Sequence, residues 1–303
     1  MVFPGQGSQS IAMQAELAEV FPEVQATYLE ASEQLDFDLW QLVQEGPKEK
    51  LDETVVTQPT MMTAGVAAWR VWQKSGGEVP ALIAGHSLGE YTALVCAGVL
   101  EFPVAVRLLQ RRAELMQQAV PAGEGAMAAI LGLDNEAVLS VCRDAEEGQV
   151  VQAVNFNSAG QVVIAGARSA VERAAELARS AGARRALLLN VSVPAHCELM
   201  EPAAEKLAAA LAEAEMAAPV IPVISNADVV AYENVEQIRD GLRRQLFSPV
   251  RWAETIQLMI QHGARKIIEC GPGKVLAGLN RRIDKSVASV CLDSPAALEA
   301  ALQ

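Results

Sequence analysis

Short apolar runs alternate with amphipathic stretches of helical period along nearly all 303 residues, and this alternation constrains the fold more than any other feature. Strands that take turns with helices predict an α/β protein built on a mostly parallel sheet. ALIAG (81–85), PVIPVIS (219–225) and KIIEC (266–270) each end in turn residues and lead into a helical pattern. In such a sheet the chemistry is expected beyond the C-terminal ends of the strands.

The middle of the chain parses differently. AMAAILGL (126–133), VVQAVNFN (150–157), QVVIAGA (161–167) and ARRALLLNVS (183–192) read as strands. DNEAVLSVCRDAEE (134–147) and SAVERAAELARSAG (169–182) read as the helices between them. The order βαββαβ is that of a ferredoxin-like unit. Residues 124–193 are therefore expected to form a small inserted subdomain, entered through PAGEG (121–125) and left through SVPAH (192–196). Residues 1–123 and 194–303 would make the large catalytic part.

The formal net charge of −13 argues against a nucleic-acid backbone or an anionic membrane surface as the main partner. Its distribution is uneven: residues 1–60 hold eleven acids and two lysines, whereas residues 263–291 hold Arg265, Lys266, Lys274, Arg281, Arg282 and Lys285 against two acids. Five cysteines without a CxxC pair suit reduced thiols rather than a disulfide framework or a zinc site. No run approaches the ~20 apolar residues of a membrane span, and the first residues lack the basic and apolar regions of a signal peptide. A cytoplasmic protein, a monomer, is expected.

Gly85-His86-Ser87-Leu88-Gly89 follows an apolar strand and precedes a helical stretch. That is the setting of a nucleophile elbow, in which small residues on both sides allow a tight turn and place the serine at a helix N-terminus. A serine needs a base. His86 is its neighbour and diverges from it at a sharp turn, and His262 precedes Gly263 at a helix end, which leaves His196. Cys197 beside His196 reads as a buried thiol. No acid between 87 and 196 is an evident third member, so a carbonyl is a candidate for orienting the histidine. In VAVRLLQRRAELMQQA, Arg112 turns toward the apolar face of its helix. A buried arginine needs a partner, either a substrate carboxylate or an internal acid, and spacing alone does not choose. ECGPGK lacks P-loop spacing, so no nucleotide site is expected.

FPGQGSQ (3–9), GHSLGEYTAL (85–94), RRAELMQQ (111–118), NFNSAGQVVIAG (155–166), SVPAHC (192–197) and RQLFSPVRW (244–252) occur together and in order. With them the whole chain resembles the bacterial malonyl-CoA:acyl-carrier-protein transacylases, whose fold also serves as the acyltransferase domain of polyketide and animal-type fatty acid synthases. The resemblance implies an α/β-hydrolase-like large subdomain and a ferredoxin-like small one. It implies Ser87 as nucleophile, His196 as base and Arg112 as the residue that binds the malonyl carboxylate. It places the oxyanion-hole amides at Gln6 and Leu88, and the histidine-orienting carbonyl at Gln245. Asn155 and Asn157 match a segment that lines the cleft. Two departures stand out: the chain opens at Met1-Val2-Phe3, where the family usually has several more residues, and Ala195 stands where serine often precedes the histidine.

The implied reaction is ping-pong transfer of malonyl from malonyl-CoA to the phosphopantetheine thiol of acyl carrier protein, for fatty acid biosynthesis, without metal or bound cofactor. The rivals are a serine hydrolase on the same elbow, a non-catalytic carrier-binding homologue, and a transacylase serving a polyketide pathway or malonate decarboxylase.

Overall fold

The computed structural model describes residues 1–191 and 193–303. Ser192, expected at the end of the last small-subdomain strand and in the second crossing, lies outside the described residues.

The strands are β1 (Val2–Phe3), β2 (Ile83–Gly85), β3 (Gly125–Leu131), β4 (Val151–Ser158), β5 (Gln161–Ala167), β6 (Arg185–Leu188), β7 (Val223–Ile224), β8 (Lys266–Glu269) and β9 (Ala288–Cys291). They form a five-stranded sheet in the order β7-β2-β1-β8-β9, parallel throughout, and a four-stranded antiparallel sheet in the order β4-β5-β3-β6. The fold is therefore α/β with a parallel sheet and a separate ferredoxin-like one. Several strands are shorter than their apolar runs. PVIPVIS contributes only Val223–Ile224, because Pro222 has no N–H to give a ladder. ARRALLLNVS contributes only Arg185–Leu188, an edge strand paired with β3 alone.

Register explains where the site forms. Phe3 lies opposite Gly85, and Ala84 opposite Ile224. The chain therefore leaves β1, β2 and β7 side by side at the C-terminal end of the sheet, carrying Gln6, Ser87 and Asn226 away from it within a few residues. The long helix Thr54–Lys74 is buried along most of its length, and Phe102–Ala119 packs beside it in the same core.

The small sheet packs over this end of the large one. Its helices Asn135–Ala145 and Arg168–Ser180 bury Val138, Val141, Val171 and Ala174 against one face. On the other face Met127, Val154, Val163 and Ala165 meet Cys197. Two backbone hydrogen bonds, Phe156 N–H to Val250 O at 3.0 Å and Val250 N–H to Val154 O at 2.8 Å, tie β4 to the segment after Gln245. Among the described residues no helix is long and apolar enough to cross a membrane.

Candidate active site

β2 stops at Gly85 and a helix begins at Gly89, so the turn between them has almost no room. A Cβ on Gly85 would stand 1.8 Å from the Gly89 carbonyl carbon, and one on Gly89 would stand 2.3 Å from the Phe3 oxygen. Glycine is required at both positions. Ser87 takes φ +54°, a left-handed conformation that costs a non-glycine residue roughly 1–3 kcal/mol. Asn226, fully buried beyond β7, holds it there. Its Oδ1 accepts the Ser87 N–H at 2.7 Å and its Nδ2 donates to Gly85 O at 2.6 Å.

Ser87 Oγ lies 2.7 Å from His196 Nε2, and His196 Nδ1 lies 2.8 Å from the main-chain oxygen of Gln245. A carbonyl only accepts, so the ring proton resides on Nδ1 and the Nε2 lone pair faces the serine hydroxyl. Burial first, and the Arg112 charge second, hold the imidazole down to about 3, against the pull of the Gln245 carbonyl. It is neutral and ready to take a proton.

Arg112 is 1% exposed. Its Nη1 donates to Gln58 Oε1 at 2.6 Å, and its Nη2 donates to Gln245 Oε1 at 3.0 Å and approaches Ser87 Oγ at 3.4 Å. Its Cζ sits over the Tyr91 ring at 5.6 Å. Among the described residues no carboxylate is within ion-pair distance of it, so the internal-acid alternative has no direct partner to offer. A buried cation held by two amide oxygens and a hydroxyl lacks the anion that normally offsets its desolvation.

Ser87, His196, Arg112 and Gln245 are thus brought together by direct contacts. The loop bearing Gln6 lies against the elbow, since a Cβ on Gly5 would stand 2.6 Å from His86 O. Neither the Gln6 nor the Leu88 N–H has an acceptor among the described residues. Asn157 reaches the site indirectly: its Oδ1 lies 2.9 Å from His86 Nε2, with the His86 ring 5.4 Å from that of Trp252. Asn155 sits at a bulge of β4, and its buried Oδ1 has no partner among the described residues. His262 faces Leu258 O at its helix end. The Cys197 thiol is buried, donates to Pro194 O at 3.1 Å and is pushed up to about 12 by burial. Among the described residues no group of three or more His, Cys, Asp or Glu could hold a metal ion.

Sequence reasoning missed Gln58, Glu90 and Asn226. A lone glutamine in the apolar stretch around Thr54–Trp69 was a signal for the first, and the strand-end position after PVIPVIS for the last. Glu90 gave none beyond its place in the first turn of a helix.

The acyl transferase domain family matches residues 1–292. Malonyl CoA-acyl carrier protein transacylase of Escherichia coli K12 is 54% identical over 302 residues, spanning 100% of this chain and 98% of that protein. An acyl carrier protein S-malonyltransferase from Vibrio cholerae, solved by crystallography, is 58% identical with TM-score 0.96, over 99% of this chain and 98% of that one. A malonyl-transacylase solved in complex with its type II PKS acyl-carrier protein is 53% identical with TM-score 0.98, over 100% and 98%.

Proposed function

Because this chain belongs to the acyl transferase domain family, among the malonyl CoA-acyl carrier protein transacylases, we propose that it moves malonyl from coenzyme A to the phosphopantetheine thiol of acyl carrier protein through a malonyl ester on Ser87. The observation that carries this reading is the placement of Arg112, a buried guanidinium with no carboxylate partner among the described residues, 3.4 Å from the Ser87 hydroxyl. In malonyl one methylene separates the thioester carbonyl from the carboxylate. A carboxylate held on Arg112 therefore sets the reacting carbonyl beside Ser87.

His196 Nε2 takes the Ser87 proton as Oγ attacks that carbonyl. Negative charge on the carbonyl oxygen meets the N–H groups of Gln6 and Leu88. The carbon–sulfur bond breaks, and the coenzyme A thiolate leaves with the proton from His196. Arg112 retains the malonyl ester until the carrier thiol enters, gives its proton to His196 and reverses the sequence. In this reading residues 124–193 form a small subdomain that closes the cleft, and residues 1–123 with 194–303 carry the catalytic groups.

Intact-mass measurement after mixing with malonyl-CoA tests it. One malonyl adduct is expected, absent from Ser87→Ala and discharged by holo-acyl carrier protein. Free malonate produced without an adduct or a carrier requirement overturns transfer in favour of hydrolysis.

A further inference from the structure

Glu90 is fully buried in the first turn of the helix after the elbow, yet the proposed reaction gives it no role. Among the described residues every group meeting its carboxylate is a donor. The Tyr232 hydroxyl donates to Oε1; Gln245 Nε2, at 2.8 Å, and the Asn226 N–H, at 3.1 Å, donate to Oε2. Three donors without an acceptor match an ionised carboxylate. Burial, the largest influence, raises the carboxyl above its ordinary value, and the hydrogen bonds and the Arg112 charge pull it back down.

The Gln245 side chain joins the two buried charges. Its Nε2 donates to Glu90 and, at 3.0 Å, to Ser87 O, while its Oε1 accepts from Arg112 Nη2 at 3.0 Å. Turning the amide over would set NH₂ against the guanidinium and oxygen against two acceptors. We propose that Glu90 is a positioning residue for the carboxylated acyl group, the counter-charge of Arg112 acting through the Gln245 amide instead of by contact. A direct Arg112–Glu90 pair would occupy the guanidinium edge that the substrate needs. Placed one amide away, Glu90 offsets the cost of burying the arginine, leaves that edge free, and moderates its pull on an incoming anion.

The test is a double-variant cycle with Glu90→Gln, whose oxygen can still accept from Gln245 and Asn226 while its NH₂ faces Tyr232. If Glu90 acts as a charge, Glu90→Gln lowers Tm by about 5 °C or more alone and by less than about 2 °C when Arg112→Met is present. Equal losses in the two backgrounds identify a plain hydrogen-bonding role and overturn the proposal. Should Glu90→Gln not fold, the double variant, free of both buried charges, is still expected to fold, and its failure also overturns the proposal. A second readout rests on the malonyl reading above. With less opposing charge near Arg112, the ratio of kcat/KM for malonyl-CoA to that for acetyl-CoA rises by at least about threefold in Glu90→Gln. An unchanged or lower ratio sinks the positioning role. If the unaltered protein transfers no malonyl, the proposed function fails, and the Tm cycle still decides the charge coupling.

Discussion

Replacing Arg112 by methionine separates recognition from folding, because malonyl and acetyl transfer respond differently while both share any change in stability. The side chain is 1% exposed and sits among Gln58, Gln245 and Ser87. Methionine keeps most of the volume but presents nothing to a malonyl carboxylate, which would then be buried unpaired. Removing one partner of a buried ion pair costs about 3–5 kcal/mol, or a factor of roughly 10² to 10³·⁵ in kcat/KM at about 1.4 kcal/mol per decade. Acetyl has no carboxylate to strand, so its kcat/KM is expected to hold or rise. Stability follows different terms. Two amide oxygens lose their donor, at about 1–3 kcal/mol each, and Glu90 loses its counter-charge, while the disappearance of a desolvated cation offsets part of this. A net loss of about 2–4 kcal/mol is expected, a Tm drop of about 5–10 °C. Initial rates with malonyl-CoA and acetyl-CoA, using holo-acyl carrier protein and active-site titration, measure the first effect; thermal unfolding measures the second. Equal losses for the two acyl groups would refute the argument, since they would make Arg112 a scaffold residue.

The pH dependence of acylation follows from His196, which burial and the Arg112 charge hold near 3 against an ordinary 6.5. Between pH 8 and 5 the rate should fall less than about twofold through this group, and a stopped-flow limb with a midpoint of 6–7 contradicts the assignment. The unfolded chain takes up the proton first, so His196 contributes stability above pH 6.5 that is lost progressively as the pH falls toward 3. Asn226→Ala frees the Ser87 N–H and the Gly85 carbonyl. Urea unfolding should show a loss of about 2–4 kcal/mol, and kcat should drop by about 10–100-fold. The malonyl-to-acetyl ratio should stay unchanged, and a shift in it would place Asn226 in acyl recognition instead.

What the sequence showed depended on how far apart the interacting residues are. The elbow was legible because Gly85, Ser87 and Gly89 are local: strand, tight turn and helix lie within a few residues. The small sheet was legible because its strands and helices follow one another without interruption in the βαββαβ order, although β3 pairs across the unit with β5 and β6. Strand ends were not, since β1 offers only Val2 and Phe3 as a ladder to β2 whatever the apolar run after residue 81 suggests. The residues around the elbow come from far along the chain. Asn226 is 139 positions from Ser87, and Gln58 is 54 from Arg112. Gln245 was placed by resemblance for its carbonyl, and nothing in its sequence context indicated that its side chain also links Arg112 to Glu90. Spacing could say that Arg112 needs a partner; only the fold shows that its direct partners are neutral.

That neutrality bears on how a chain of net charge −13 handles an acidic acyl group. Long-range attraction cannot come from the molecule as a whole, and exposed pairs such as Arg243–Glu205 and Arg251–Glu254 are screened and largely self-compensated. The charge that matters is the one kept from water, where a given separation is worth several times more. An arginine there is useful only if it is affordable to the fold and still free to bind. A carboxylate in contact would meet the first condition and defeat the second, and no counter-charge would do the reverse. Placing Glu90 behind the Gln245 amide meets both. On the proposed reading, the residue whose main-chain oxygen meets His196 thereby also sets, through its side chain, the field at an acyl group held beside Ser87.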